Sequence, residues 1–163
     1  MMGCSTQQSV HPIGREVIRR GAEPECFQIV EGDAEMNRAI RQARKSQRTF
    51  IAALQHPQPG QRDFQVKKPF VQGDVVEHLW LRDVTYSGHR YHGVVDNHPH
   101  AIKGLKMGAR VSVNPSEITD WAYVDHDTLV GGATIRVLYQ EFSPERRAAF
   151  EKEAGFHLGK EKP

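Results

Sequence analysis

Two cysteines in 163 residues, Cys4 and Cys26, are too few to staple a fold. Neither stands in a Cys-x-x-Cys or zinc-ligand spacing. No stretch approaches the roughly 18 consecutive apolar residues of a membrane-spanning helix. An excess of one charge is also missing: 22 Lys and Arg face 20 Asp and Glu, a net +2, and the isoelectric point of about 8.6 falls below the strongly basic footprint of a dedicated nucleic-acid binder. Nucleic acid is therefore excluded as the expected partner. Enzyme signatures are absent too, with no Gly-x-Ser-x-Gly elbow, no His-Glu-x-x-His and no Gly-x-Gly-x-x-Gly after a strand. Gly155-Phe156-His157-Leu158-Gly159-Lys160 has the wrong spacing for a phosphate loop and follows a helix. What remains is a foldable chain, 38% hydrophobic and 26% charged, of one-domain length.

The N-terminal Met1-Met2-Gly3-Cys4-Ser5-Thr6 carries a Gly-Cys pair resembling the processing site of bacterial lipoproteins, without the apolar segment that would precede it. The expectation is that Cys4 is the lipidated residue of an envelope protein in the periplasm or outer membrane; the alternative is a cytoplasmic chain with an incidental Cys. A polar tether over residues 1–21, one globular domain over 22–156 and a disordered tail over 157–163 complete the organisation. If Cys4 carries lipid, Cys26 has no disulfide partner.

Cys26 to Val30 reads as a short strand, and Asp33 as the N-cap of a helix. Met36, Ile40, Ala43, Gln47, Phe50 and Leu54 then advance by fours and threes, which predicts one long helix from Ala34 to Leu54, ended by His56-Pro57-Gln58-Pro59-Gly60. From Asp63 to Asp125 β-rich runs alternate with turn residues: Phe64–Phe70, Val75–Val84, Tyr91–Asn97, Ala109–Val113 and Thr119–Val124. Ser143-Pro144-Glu145 opens a short closing helix that Gly155 ends. The fold class is α+β: a small curved antiparallel sheet or partly open barrel, with a long N-terminal and a short C-terminal helix.

A four-residue loop at Thr85-Tyr86-Ser87-Gly88 would pair Val84 with His89, set Trp80 over Gly93 and place Glu77 opposite Asp96. Facing carboxylates persist if one is protonated, if a cation is shared, or if Arg136 or Lys103 intervenes. Glu77, His78 and Asp96 are thus the alternative catalytic set, while the leading expectation is no catalytic residue. His98, His100 and Asp96 form the alternative metal set, no metal or other cofactor being expected; His89 and His92, three apart on a strand, point to opposite faces. Opposite the apolar stripe of the helix run Arg38, Arg41, Lys45 and Arg48, with Arg44 beside them, a row that suits solvent, anionic lipid or an acidic partner.

The landmarks Glu77-His78-Leu79-Trp80, Gly104-Leu105-Lys106-Met107-Gly108, Asp120-Trp121-Ala122-Tyr123 and Gly131-Gly132-Ala133-Thr134-Ile135-Arg136 follow one another in an order and spacing that chance does not readily produce. With Glu35-Met36-Asn37, Lys67 to Phe70 and Gly93-Val94-Val95-Asp96-Asn97, they make Asp33 to about Phe142 resemble the bacterial family called domain of unknown function 2314. That family has no assigned activity; some members resemble secreted or lipoprotein precursors, which favours lipid on Cys4. Ala133 stands where an aromatic residue is expected. The leading functional expectation is a non-catalytic protein-binding module of the bacterial envelope, most concretely a lipid-anchored immunity protein capping a toxin, with Tyr86, Tyr91, Tyr123, Asp125 and Asp127 as its exposed contact residues. The alternative is a hydrolase or small-ligand protein using Glu77, His78 and Asp96.

Overall fold

A computed structural model describes residues 33–159, together with two short strands, β1 (Arg15–Ile18) and β2 (Cys26–Ile29), which pair antiparallel with each other. Cys4 and the rest of the expected tether over residues 1–21 lie outside the described residues, but Arg15–Ile18, expected within that tether, form β1. Asp33 caps α1 (Ala34–Lys45), its carboxylate accepting from the amides of Glu35 and Met36 at 3.1 and 3.0 Å. The chain then builds β3 (Gln61–Gln72), β4 (Val75–Ser87), β5 (Arg90–Val95), β6 (Arg110–Val113), β7 (Asp120–Asp125) and β8 (Thr128–Gly131). These form one antiparallel sheet in the order β6-β5-β4-β3-β7-β8. The two ends of that order do not pair, so of the two expected forms, a curved antiparallel sheet or a partly open barrel, the chain builds an open antiparallel sheet.

The single long helix expected over Ala34 to Leu54 is two helices, α1 and α2 (Gln47–Gln55), separated at Ser46. The Ala43 carbonyl, which a continuous helix would offer to the amide four residues on, accepts the indole Nε1–H of Trp121 at 2.9 Å. Ser46 completes the break: its hydroxyl donates to the Gln42 carbonyl at 2.9 Å and receives the same indole at 3.2 Å. Across the break the apolar stripe continues, so Met36, Ala39, Ala43 and Phe50 are all buried.

Strand alternation assigns the two faces of the sheet. Val66, Leu79, Leu81, Trp121 and Tyr123 join Ala39, Ala43 and Phe50 in the main core. Phe50 stacks on Trp121 at 5.2 Å, and Phe64 on Tyr123 at 4.9 Å. A smaller cluster gathers Ala122, Leu129 and Leu158 with Trp80, Ile135, Tyr139, Phe150 and Phe156. These residues come from β4, β7 and β8, from two helices, α3 (Ala133–Gln140) and α4 (Pro144–Ala154), and from the segment after α4 that holds Phe156 and Leu158. Ser143 caps α4, donation coming from the Arg146 amide, and Gly155 ends it at φ +71°. His157 and Leu158, expected to open the tail, are held in the fold: His157 bridges Thr128 through its backbone, and Leu158 is buried.

Turn chemistry sets the register. Ser87 pairs with Arg90 across a two-residue loop in which Gly88 and His89 both take positive φ, 56° and 58°, the mirror-image turn whose twist suits a hairpin. A bulge at Asp83, φ 51°, interrupts β4 between Arg82 and Thr85. Together these shift the pairing from the expected one. Leu81 faces Val95, the Asp96 amide donates to the Trp80 carbonyl at 2.9 Å, and Gly93 packs under the bulge, where an added Cβ would lie 3.1 Å from Leu81 and from the Arg82 carbonyl. Trp80 therefore does not cover Gly93, and Glu77 does not face Asp96.

β3 and β4 outrun their neighbours. The last β3–β7 pair is Lys67–Asp120 and the first β4–β5 pair is Leu81–Val95, whereas β3 and β4 stay paired to Gln72–Val75. Pro69 sits in this projecting half, past the reach of β7, where its missing N–H takes nothing from the β3–β7 ladder.

Replacing Trp121 with Phe keeps the ring stack and removes the Nε1–H that holds the helix break. The expected outcome in urea denaturation is a loss of about 1 to 3 kcal/mol with an unchanged m-value, because a buried acceptor loses its donor. A variant as stable as the native chain would show that the indole hydrogen bond does not fix the break.

Candidate functional site

The residues that alternate with the core on β3 and β4 line the opposite face of the sheet. Three cross-strand pairs run along it from the hairpin tip: Val71–Val76, Pro69–His78 and Lys67–Trp80. The first is the most exposed large apolar pair, with 66% and 49% of each residue open to solvent. Farther from the tip, Lys67 neighbours Asp120 of β7, and its Nζ stands 5.6 Å over the Trp80 ring.

Asp120 anchors this row. It is fully buried, and each carboxylate oxygen accepts two donors. The Trp121 and Ala133 amides reach Oδ1 at 2.8 and 3.1 Å, and the Thr134 amide and hydroxyl reach Oδ2 at 2.8 and 2.6 Å. The first amides of α3 are thus satisfied by a side chain on a distant strand, where an acid also complements the helix dipole. Lys67 Nζ donates to the same Thr134 hydroxyl at 3.4 Å, so a Lys–Thr–Asp chain joins the open face to the buried carboxylate. Burial raises the Asp120 carboxyl, while Thr134, Lys67 and the amides pull it back. Four donors with no acceptor to serve fit the ionised form.

Access to Asp120 requires Gly131 and Gly132. A Cβ on Gly131, at φ +75°, would come within 2.4 Å of the Trp121 carbonyl, and Gly132, at φ +64°, opens α3. Arg136 then clamps the junction, donating to the carbonyls of Gly131, Leu129, Leu158 and Gly159 at 2.7 to 3.0 Å. It does not stand between Glu77 and Asp96.

The alternative catalytic set is not assembled. Glu77 accepts three successive backbone amides, His100, Ala101 and Ile102, at 2.8, 3.0 and 3.3 Å, and so pins the loop after β5. His78 points to the other face, its Nδ1 3.1 Å from the Thr119 hydroxyl. Burial, and then Lys67 and Arg44, lower its pKa from the ordinary 6.5 to about 4. Asp96 pairs with Arg82 Nε at 3.1 Å and accepts from Gln65 at 3.4 Å. Lys103 meets Gln72 through its backbone, its amide donating to the Gln72 Oε1 at 2.8 Å and its carbonyl accepting from Nε2 at 3.3 Å. Nor do Asp96, His98 and His100 converge: among the described residues no three His, Cys, Asp or Glu side chains gather as a metal-binding group.

The expected contact residues divide differently. Tyr91 and Tyr123 are core residues, 0% and 6% exposed, because strand alternation turns both toward Phe50. Burial raises both hydroxyls, and that of Tyr91 donates to Gln47 at 3.1 Å. Tyr86 is half-buried and packs on Tyr91. Asp125 contacts His126 at 2.6 Å at the β7–β8 turn, and exposed Asp127 reaches Arg62 at 3.2 Å. Val71 and Val76 escaped the sequence reading; the Gly73-Asp74 turn between them was the signal that would have paired them.

Fold and face together define an α+β protein built on an open antiparallel sheet with a long projecting hairpin. The chain belongs to the bacterial family described as uncharacterized protein conserved in bacteria, domain of unknown function 2314, which matches residues 33–158 and so takes in α4 beyond Phe142. One relative, an uncharacterized protein of Escherichia coli K12, YegJ, is 34% identical over 110 residues, 68% of this chain and 71% of that protein. Another, from Neisseria meningitidis serogroup B and named as an ankyrin repeat protein, is 29% identical over 149 residues, 82% of this chain. The chain spans 56% of that relative's length. No solved structure matches it. No helix among the described residues is long and apolar enough to cross a membrane.

A folded-state pKa of about 4 against 6.5 for His78 means that, between these values, the unfolded chain binds a proton that the folded chain refuses. Stability is then level above pH 6.5 and falls as pH drops to 4, by about 2 to 3 kcal/mol. His78→Gln should flatten that limb of the stability–pH curve, and an NMR titration of His78 near 6.5 would contradict the assignment. Thr134→Val, close in shape, should cost about 1.5 to 3 kcal/mol in denaturant by removing a donor to a buried carboxylate; a neutral substitution would show that the relay carries no energy.

Proposed function

We propose that the chain is a non-catalytic protein-binding module of the bacterial cell envelope, attached by lipid at Cys4 and acting as an immunity protein that covers a toxin. The observation that carries the reading is the projecting β3–β4 hairpin. Its outer face sets an exposed aliphatic pair, Val71–Val76, beside the half-buried Pro69, His78 and Trp80. An apolar centre with a polar rim is the composition of a recognition patch. The contact surface is therefore this hairpin, with Asp127 a separate exposed feature, and not the tyrosines of the core. Glu77, His78 and Asp96, each spent on local structure, favour binding over turnover. The name of the Neisseria relative, an ankyrin repeat protein, is in keeping with an interaction role. The Gly3-Cys4 pair supports the envelope.

The test is cross-linking in living cells followed by intact-mass measurement of the chain and of whatever is joined to it. The native protein should carry an acyl increment on Cys4 and one stoichiometric protein partner. Val71→Asp with Val76→Asp, folded by circular dichroism, should weaken capture at least about tenfold, the scale of a lost interface anchor. Full capture by that double variant, combined with loss of the cellular phenotype in folded Glu77→Gln and Asp96→Asn variants, would sink the binding reading.

A further inference from the structure

The exposed side of α1 carries charge that the sheet face does not use. Arg38, Arg41 and Lys45 follow at steps of three and four, which puts them on one arc of α1 opposite buried Met36, Ala39 and Ala43, and Arg48 follows in α2 past the break at Ser46. All four are exposed, and among the described residues none forms an ion pair. Arg44 behaves otherwise, its Nε donating to the Ile118 carbonyl at 2.9 Å, which removes it from the row. Arg38, Arg41, Gln42, Lys45 and Ser46 border a shallow hollow that is largely open to solvent.

We infer that this face of α1 docks on an anionic phospholipid surface, with a headgroup phosphate seated in the hollow between Arg38, Arg41 and Lys45. Charge complementarity selects an anion, and geometry selects a flat array of them. Arg38, Arg41 and Lys45 form a row along the exposed side of α1 and meet a plane of phosphates together. A nucleic acid is less well served: α1 holds no aromatic ring on which a base could stack, and the chain's net charge is only +2. The apolar side of α1 is committed to the core, so attachment is peripheral and electrostatic and the helix does not insert. Among the described residues α1 is the first helix, and Cys4, whose acylation is proposed above, precedes it in the chain. The inference needs neither that acylation nor the hairpin partner.

The test uses the full unacylated chain in vesicle sedimentation at about 0.1 M salt. It should bind phosphatidylglycerol–phosphatidylethanolamine vesicles and ignore phosphatidylcholine. Each neutralised cation should weaken partitioning about fivefold, so Arg38→Gln with Arg41→Gln should cost about 25-fold. Lys106→Gln with Arg110→Gln, the same drop in net charge on exposed residues elsewhere, should change little. Raising salt to about 1 M, where screening acts within about 3 Å, should release the protein. Native-like binding by the α1 variant, equal weakening by the control pair, or no binding to anionic vesicles overturns the inference. Displacement by inorganic phosphate at constant ionic strength would reassign the hollow to a soluble anion, and tighter binding of a DNA duplex at the same salt would reassign the row to nucleic acid; either result overturns the bilayer.

Discussion

Asp120 is wholly removed from water, and a buried carboxylate has to find its donors within the protein. It finds four, all from Trp121 and the first turn of α3. This one requirement ties β7 to α3, fixes where α3 starts, and calls for two glycines before it. It also draws Lys67 to Thr134, which leaves the lysine lying over Trp80 on the open face. The residue after the carboxylate, Trp121, points the other way and breaks the α1–α2 helix with its indole. Adjacent positions on one strand thus organise both faces of the sheet.

Much of the fold was legible because local chemistry announced it. Asp33 before an amphipathic run, Ser143-Pro144 ahead of α4 and Gly155 behind it each mark a helix end whose unpaired backbone groups need that side chain or that conformation. The five β-rich runs all became strands. β8 and α3 were not legible: four strand residues give little periodicity, and α3 is capped from a residue 13 positions back in the chain, which no local pattern encodes. The break at Ser46 was hidden for the same reason, since an indole from β7 makes it while the apolar stripe runs on unbroken.

The candidate site was less readable than the fold. Glu77, His78 and Asp96 attracted attention as titratable residues close in sequence, yet a bulge at Asp83 and a two-residue turn at Gly88-His89 moved the register and separated them. Tyr91 and Tyr123 looked like surface anchors because their hydroxyls are polar; alternation turned them inward, where a ring pays more by packing on Phe50 than by meeting solvent. What the sequence undervalued was a modest pair, Val71 and Val76, whose meaning depends on β3 and β4 extending past both neighbours.

Strand order has a consequence for how the chain reaches this structure. β3, β4, β5 and β6 pair each with the next along the chain, so loops of modest length suffice to close them. β7 instead returns to the far side of β3, where the Thr119 hydroxyl meets the carbonyl of Lys67, 52 residues earlier. Loop-closure entropy makes such distant pairing slow relative to hairpins. Sequence separation therefore sets the β3–β7 pairing, which brings in Asp120 and Trp121, as the costliest closure of the sheet, and the expected order of assembly is meander before β7.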